Sequence, residues 1–258
     1  MRHFTAPVAS NILLCEGIYE LTFAWETGMV PPLPGQFCTI RVSSATSPLL
    51  RRPFAFSGFD RVKRSVSIVY KKCGPATEIM AGKVGADTLD VIGPLGNSFA
   101  QCALGKTNLL IAGGTGFGPV FFLKHYLMEL NKPSRMILGC KTSAQLPQSA
   151  HLNSPTAFVC TEDGSEGFMG TTVDYLKSLQ KEQLDQATLF CCGPTPMLKA
   201  CYDFAATRGL QCHVSMEQYM ACGVGACMGC VVKVHGDNPF ARVCTEGPVF
   251  NGAVIAWT

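Results

Sequence analysis

The chain has 258 residues, enough for two ordinary domains and a small additional module. Hydrophobic residues make up 47% of it and charged residues 15%, a globular composition that excludes extended disorder. The formal net charge of +3 is spread without a block of Lys or Arg, so charge gives no support for nucleic-acid binding. Long apolar runs and a secretory signal are both lacking, so we expect a cytoplasmic protein that does not enter a membrane.

Residues 1–99 contain apolar segments separated by Gly and Pro, which is typical of an antiparallel β-barrel or sandwich. The predicted strands in this part are 35–42, 51–59, 65–72 and 87–96. In residues 100–215, buried-type strands alternate with helical periodicity, and this predicts an α/β domain with a parallel sheet of the nucleotide-binding type. Its predicted strands are 108–114, 135–140, 156–164 and 187–193, and its predicted helices are 120–130, 172–179 and 196–209.

Residues 216–258 form a short segment that is rich in Cys and Gly and ends in a strand-like tail. The sequence contains 14 cysteines, and a reducing cytoplasm does not favour a disulfide framework. Ten of them are scattered, and we expect most of these to be small buried hydrophobes. The other four are grouped in this last segment. The chain is therefore predicted to have three modules.

The grouped cysteines follow the spacing of a plant-type [2Fe–2S] site. Cys222, Cys227 and Cys230 form C-x4-C-x2-C, and Cys244 follows after thirteen intervening residues. The residues between the first three are small or uncharged, so backbone N–H groups can approach the sulfurs closely. A structural zinc site is an alternative, although zinc sites usually pair two close C-x2-4-C knuckles. Unligated core cysteines are a second alternative.

A glycine loop follows the predicted strand 108–114 and precedes a helix. Gly113, Gly114, Thr115 and Gly116 can form an anion cradle, where free N–H groups and the helix dipole meet the pyrophosphate of a dinucleotide. Such loops also occur as tight turns without a ligand. The next strand ends near Lys141, which could tolerate a 2′-phosphate, so the residues leave the choice between NADH and NADPH open.

A second motif, Cys192-Gly193-Pro194, lies where a buried strand leaves the carboxyl edge of the sheet. Ligands bind at that edge in open α/β sheets, so the Cys192 thiol could lie beside a nicotinamide and take part in catalysis. The same residues could instead be a Gly-Pro turn that starts the next helix.

Seven segments spread over the whole chain carry a resemblance to a known family. They are PGQF (34–37), PLLRRPFAF (48–56), IGPLGNSF (92–99), AGGTGFGP (112–119), CGPTPM (192–197), MACGVGACMGCVV (220–232) and VCTEGPVF (243–250). Together they resemble the ferredoxin reductase superfamily, and within it the electron-transfer subunits of type 1B, NAD-linked dihydroorotate dehydrogenases. PLLRRP and VCTEGPVF are more specific to this family than the glycine loop is.

The resemblance implies that the barrel binds FAD. The implied flavin-binding residues are Arg52, Pro53, Phe54, Ala55, Val69, Tyr70, Lys71, Ala76 and Thr77. Arg52 could pair with the flavin pyrophosphate as a planar fork, and Tyr70 could offer a ring face and a hydroxyl. Without the resemblance, Arg52 would be interpreted as part of a surface salt bridge. Tyr70 would be interpreted as a half-buried aromatic residue of a strand.

The sequence departs from the family pattern at two positions. Ala55 stands where the family usually has a Ser near the reactive nitrogen of the flavin, and Ala76 replaces a usual Gly. Ser57 is predicted to lie on the same strand face as Ala55, one repeat further along. We expect flavin binding to survive both changes, whereas the hydride step between nicotinamide and flavin depends more strongly on position 55.

The resemblance also implies a partner and a function in pyrimidine biosynthesis. A catalytic dihydroorotate dehydrogenase subunit would oxidise dihydroorotate on its own FMN, and electrons would pass through the [2Fe–2S] cluster and FAD to NAD. A heterotetramer of two catalytic and two electron-transfer subunits is implied. One alternative is an NAD(P)H-linked ferredoxin reductase or hydrogenase-type subunit with another partner. A second is a regulatory subunit with vestigial flavin and nicotinamide sites, favoured mainly by Ala55.

Overall fold

A computed structural model of the chain describes residues 1–147 and 157–257. The first part is a closed antiparallel barrel of six strands: β1 (Arg2–Cys15), β2 (Ile18–Ala24), β3 (Phe37–Arg41), β4 (Arg52–Asp60), β5 (Ser65–Lys71) and β6 (Thr88–Leu95). Their order around the barrel is β1–β2–β5–β4–β3–β6, and pairing of β6 with β1 closes it. A short helix, α1 (Pro75–Ala81), connects β5 to β6.

The interior of the barrel is filled with side chains. On β1, Phe4, Ala6 and Val8 are buried and the residues between them are exposed, because successive side chains of a strand point to opposite faces. The Trp25 ring packs edge-on against the rings of Phe4 and Phe56 at the centre. Since large rings occupy the inside, a cofactor of this barrel must bind on its outer surface.

The second part is a parallel sheet flanked by helices. Its strands are β7 (Thr107–Gly113), β8 (Ser134–Cys140), β9 (Ala157–Thr161), β10 (Phe168–Met169), β11 (Ala187–Cys192) and β12 (Gln211–Ser215), and its helices are α2 (Phe117–Glu129), α3 (Thr172–Ser178) and α4 (Thr195–Ala206). The order is β10–β9–β8–β7–β11–β12. The chain moves outward from β7 in both directions, so the switch point of the sheet lies between β7 and β11.

The third part begins with an antiparallel hairpin of β13 (Val231–Lys233) and β14 (Phe240–Arg242). The next strand, β15 (Val249–Asn251), pairs antiparallel with β12 and becomes the seventh strand of the nucleotide sheet. The cysteine-rich segment is therefore anchored to the nucleotide sheet through its strand-like tail.

The predicted fold class, a β-barrel with a parallel-sheet α/β domain and a small cluster module, is confirmed. The helix predicted at 120–130 begins earlier, at Phe117, because Pro119 fits the first turn of a helix. The strand predicted at 156–164 ends at Thr161, and its first residue lies outside the described residues. Across the described parts of the chain, no helix has the length and apolar character needed to cross a membrane.

Candidate functional site

The four grouped cysteines come together at one end of the third module. Cys222, Cys227 and Cys230 lie in the irregular loop before β13, and Cys244 follows β14 by two residues. Cys222 lies near Cys227, and Cys230 lies near Cys244. The hairpin therefore brings the distant fourth cysteine back to the loop, as the sequence predicts.

Backbone N–H groups of the loop point at these sulfurs. Val224 N–H donates to Cys222 Sγ at 3.5 Å, and Gly225 N–H donates to Cys244 Sγ at 3.1 Å. Burial raises the pKa of Cys222, but donation from Val224 and from the next N–H groups outweighs it and lowers the pKa to about 6. The loop therefore favours the thiolate of Cys222, which is the form that binds iron.

Four cysteine thiols, with backbone N–H groups pointing at three of them, make up the donor set of this site. In the described residues no group of three or more Cys, His, Asp or Glu side chains is placed to hold a metal ion. The four thiols lie at one end of the module, with Cys222 near Cys227 and Cys230 near Cys244. A [2Fe–2S] cluster needs two thiolates for each iron, whereas a structural zinc ion needs four around one centre. The donor set therefore fits the cluster.

Arg242 holds the cluster loop to the hairpin. Its Nη1 donates to the Gly225 carbonyl at 3.0 Å, and its Nε donates to Glu246 Oε2 at 3.0 Å. The Arg242 guanidinium keeps the pKa of the Glu246 carboxyl at about 2. Sequence analysis missed this residue, and its only signal is its place two residues before Cys244.

The cluster loop packs directly against the barrel. Gly223 has a φ of +70°, and a β-carbon there would lie 2.9 Å from Thr39 Cγ2 on β3. Thr39 pairs in register with Pro53, a predicted flavin residue on β4. Only one strand therefore separates the cluster loop from the predicted flavin segment, a juxtaposition that the sequence did not reveal.

Asn97 joins the barrel to the third module. Its Nδ2 donates to the carbonyls of Glu246 at 2.9 Å and Val249 at 2.7 Å, and its Oδ1 accepts from the N–H of Val249 at 2.9 Å. These bonds link the segment 92–99 to the segment 243–250. Two of the segments that carry the family resemblance, far apart in the sequence, are therefore joined by hydrogen bonds.

The predicted flavin residues lie on neighbouring elements of the barrel. Arg52, Pro53, Phe54 and Ala55 are on β4, Val69, Tyr70 and Lys71 end β5, and Ala76 and Thr77 open α1. The guanidinium of Arg52 is half-buried, on the outer end of the barrel, and donates to the carbonyl of Leu50. A guanidinium group in this position can form two parallel hydrogen bonds with a pyrophosphate on the outer surface of the barrel, so the position of Arg52 fits FAD.

Tyr70 is placed differently from the expectation that it offers a ring face and a hydroxyl to the flavin. Its ring is only 2% exposed and stacks on Tyr19 at 5.5 Å, and its hydroxyl donates to Asn11 Oδ1 at 3.0 Å. The side chain therefore belongs to the barrel core, because the strand pleat turns it inward. Thr77 accepts the N–H of Gly74 at 3.1 Å and so caps its own helix.

Ser57 lies where β4 meets the nucleotide domain. The register of β4 against β5 shifts between Phe56 and Gly58, which makes Ser57 a bulge. Its hydroxyl is buried and has no hydrogen-bond partner in the described residues. A β-carbon on Gly118 would lie 3.1 Å from Ser57 Cβ and 3.0 Å from Val69 Cβ. Gly118 thus allows the start of α2 to approach the flavin face of the barrel closely.

The glycine loop and the second cysteine motif lie side by side. Ala112 at the end of β7 is in register with Cys192 at the end of β11. A β-carbon on Gly116 would overlap the Cys192 carbonyl, and one on Gly113 would lie 2.7 Å from Met197 Sδ. The two motifs therefore form one surface at the carboxyl edge of the sheet, at the switch point where α/β sheets bind ligands.

The chemistry of this surface is set by burial. Burial raises the pKa of the Cys192 thiol to about 12, and a hydrogen bond with Ser215 lowers it only in part. The thiol is therefore neutral at physiological pH. Thr115 is half-buried within the loop, and Lys141 is exposed at the end of β8.

Comparisons with known proteins agree with this geometry. Residues 217–256 match the family model of the iron–sulfur cluster binding domain of dihydroorotate dehydrogenase B. The chain is 35% identical to the dihydroorotate dehydrogenase B (NAD(+)) electron transfer subunit of Bacillus caldolyticus, with 96% of each chain covered. It is 33% identical to the subunit of the same name from Fusobacterium nucleatum, with 94% of each covered.

Solved structures share the whole architecture. An NADH-dependent reduced ferredoxin–NADP oxidoreductase involved in flavin-based electron bifurcation is 26% identical with a TM-score of 0.83, over 98% of this chain and 90% of that one. Phthalate dioxygenase reductase, at 14% identity and a TM-score of 0.66 over 91% and 87%, shares the fold. Together with the full-length relatives, the site shows that the chain belongs to the family of dihydroorotate dehydrogenase B (NAD(+)) electron transfer subunits.

Proposed function

We propose that this chain passes electrons between NAD and a catalytic subunit that oxidises dihydroorotate, as one step of pyrimidine biosynthesis. The observation that carries the proposal is the grouping of four cysteines at one end of a module that packs on β3, the neighbour of the predicted flavin strand β4. Family membership supports the same function. The catalytic chemistry on dihydroorotate would lie on the partner.

The residues divide into three cofactor sites. Cys222, Cys227, Cys230 and Cys244 would hold the [2Fe–2S] cluster. The residues of β4, β5 and α1 named above, without the side chain of Tyr70, would hold FAD. Gly113–Gly116 and Cys192–Pro194 would hold NAD(H). When bound, the flavin exchanges a hydride with the nicotinamide and single electrons with the cluster. The relatives' name specifies NAD(+), which favours NAD over NADP for this chain.

The protein itself contributes position and polarity at these sites. The neutral Cys192 thiol places no negative charge beside a bound nicotinamide. Gly118 lets the start of α2 pack closely against Val69 and Ser57, so the nucleotide domain lies directly on the barrel. Loop N–H groups at Val224 and Gly225 stabilise negative charge on the cluster sulfurs.

The surface around the cluster loop is suited to a partner subunit. Cys227 is exposed, whereas Cys230 and Cys244 are only 2% exposed. Exposed apolar side chains lie in or beside the cluster loop, namely Tyr219, Val224 and Met228. Apolar groups clustered at a redox centre favour protein docking there.

We propose a heterotetramer with the catalytic subunit, located in the cytoplasm, where the 14 free cysteines stay reduced.

A first test is co-expression of the chain with an FMN-containing dihydroorotate-oxidising subunit. We expect the two to co-purify and the complex to reduce NAD when dihydroorotate is added. The purified chain should contain FAD, iron and sulfide and should show flavin and iron–sulfur absorption bands together. A colourless chain that contains zinc, or a chain that never binds the catalytic subunit, would contradict the proposal.

A second candidate function is an NAD(P)H-linked ferredoxin reductase or hydrogenase-type subunit. It is favoured by the 26% identity to the ferredoxin–NADP oxidoreductase, over 98% of this chain. The two candidates differ in their electron acceptor. Rapid NADH-dependent reduction of ferredoxin, without binding to the dihydroorotate-oxidising subunit, would favour this second function.

Ala55 raises the question of whether this chain still transfers a hydride between nicotinamide and flavin. A regulatory subunit with vestigial sites would bind flavin without accepting hydride from NADH. We expect NADH to bleach the flavin of the purified chain, since Arg52 and the nucleotide loop are in place. Flavin that stays oxidised under anaerobic NADH would support the regulatory alternative instead.

A further inference from the structure

A cationic cavity lies at the edge of the nucleotide sheet opposite to the cofactor loops. It has a volume of about 500 Å³ and lies between the second half of α2 and the first residues of β7 and β8. Strand β7 has seven residues, so its two ends are about 20 Å apart. The cavity is therefore separate from the glycine loop and from the cluster module.

Lys124 of α2 is the central residue of this cavity. It is only 4% exposed, yet its ammonium group has no hydrogen bond or ion pair within residues 1–147 and 157–257. Burial lowers its pKa. Its aliphatic stem packs among apolar side chains, which accounts for part of the burial. The ammonium group itself is not among the buried polar atoms that lack a partner in the described residues, so it opens into the cavity, where an anion can meet it.

The other polar groups of the cavity are also donors. Lys132 and Arg135 line it together with the hydroxyls of Thr107 and Ser134, and no carboxylate does so in the described residues. Lys106, just outside the cavity, is paired, because its ammonium group lies 3.3 Å from the Asp185 carboxylate. Lys132 and Arg135 have no such partner among the described residues. The lining thus concentrates three positive charges without compensation.

We propose that this cavity binds a small phosphate-bearing anion. Three cations and two hydroxyls match the charge and the several acceptor oxygens of a phosphate group, and the guanidinium of Arg135 can form two parallel bonds with it. A single carboxylate would leave most of these donors unused. The inference does not depend on the proposed function, because it concerns the opposite edge of the sheet.

The test is a calorimetric titration of inorganic pyrophosphate into the cofactor-loaded chain, with excess NAD to fill the nucleotide loop. We expect a Kd below about 1 mM for the wild type. Lys124→Met should weaken binding by at least tenfold, and Arg135→Met should do the same if Lys124→Met fails to fold. Lys106→Met is the matched control, because it removes one charge from the same face outside the cavity and should bind like the wild type.

Three results would overturn the proposal. The first is no pyrophosphate binding by the wild-type chain. The second is equal binding by Lys124→Met and Lys106→Met, because the anion would then lie elsewhere. The third is equally tight binding of malonate, a dicarboxylate used as a comparison ligand, because the cavity would then not select phosphate.

Discussion

The cluster loop is organised by a few polar contacts rather than by secondary structure. The N–H groups of Gly225 and Gly229 point at the sulfurs of Cys244 and Cys227, and Arg242 binds the Gly225 carbonyl from the other side. Each N–H donated to a sulfur favours the thiolate and so favours the cluster. Arg242 is therefore a positioning residue, which holds the loop backbone in the conformation that presents these donors.

Replacing Arg242 should loosen the cluster without unfolding the chain. Arg242→Met removes the bond to Gly225 and the ion pair with Glu246, at a partly exposed site. We expect faster loss of iron to a chelator, by several-fold, while the thermal unfolding of the barrel changes little. Lys233→Met on the same hairpin is the control, since Lys233 is exposed. Equal iron loss from both variants would contradict the role assigned to Arg242.

Asp90 on β6 should contribute to a pH-dependent stability of the barrel. Burial raises its pKa, but hydrogen bonds from Arg51 and His3 lower it further than burial raises it. A carboxyl whose pKa is lower in the folded state stabilises the fold above its unfolded pKa of about 3.9, and this stabilisation is lost as the pH falls through the folded pKa.

Urea unfolding of Asp90→Asn and of the wild type tests this contribution. We expect the wild type to be more stable by up to about 1 kcal/mol near pH 7, because Asp90 is partly exposed, and the difference to vanish well below about pH 4. Asp237→Asn is the control, because Asp237 is exposed and forms no ion pair in the described residues. If the difference in unfolding free energy between the two proteins did not change with pH, the stabilisation would not come from the charge of the Asp90 carboxylate.

At the scale of elements, the nucleotide site depends on two loops that touch through glycine backbones. A β-carbon on Gly116 would overlap the Cys192 carbonyl, whereas one on Gly114 would meet no atom within 4 Å. Gly114 has a φ of +54°, a conformation that costs other residues about 1 kcal/mol. The two glycines are therefore required for different physical reasons.

Gly116→Ala should accordingly destabilise the nucleotide domain far more than Gly114→Ala does. The loop at Gly116 cannot move away without separating α2 from β11, so we expect a loss of several kcal/mol, against about 1 kcal/mol at Gly114. Thermal unfolding of the two variants gives the comparison. Equal melting temperatures would mean that the loop relaxes freely and that the packing argument is wrong.

The elements that sequence patterns predicted well are those with one strong periodicity. Strands β7 and β11 are continuous apolar runs, and their burial on both faces follows directly. Strand β1 was missed because polar residues at Ser10 and Asn11 interrupt its alternation, and α1 because seven residues carry too little periodicity. The strand β15 joins another module's sheet, a long-range pairing that local pattern does not encode.

At the scale of the molecule, three modules are joined by specific contacts that sequence analysis could not locate. The cysteine ligands were predictable because their spacing is itself the signal. The contact of Gly223 with Thr39 and the bonds of Asn97 depend on segments that are distant in the chain. Tyr70 shows the limit of inference by resemblance. The resemblance implies a flavin-binding side chain there, whereas the structure has its ring in the barrel core.

Asn97→Ala should weaken the attachment of the cluster module to the barrel. The substitution removes three hydrogen bonds, two of them to partly buried backbone groups of Val249 and one to the exposed carbonyl of Glu246. We expect a loss of about 2–4 kcal/mol in the free energy of unfolding. Asn238→Ala, at an exposed turn, is the control and should change stability by less than about 0.5 kcal/mol. A similar loss in both variants would contradict the role of Asn97 as a link between modules.

The central claim is that the cluster on Cys222, Cys227, Cys230 and Cys244 connects this chain's flavin to the partner subunit. Its most direct test is anaerobic stopped-flow absorbance of the complex that carries Cys227→Ser, with Cys73→Ser, an exposed cysteine outside the module, as the control. We predict that NADH still reduces FAD in Cys227→Ser while electrons no longer reach the FMN of the partner, and that Cys73→Ser behaves as the wild type. Undiminished reduction of the FMN in Cys227→Ser, or loss of the NADH-to-FAD step together with it, would contradict the account.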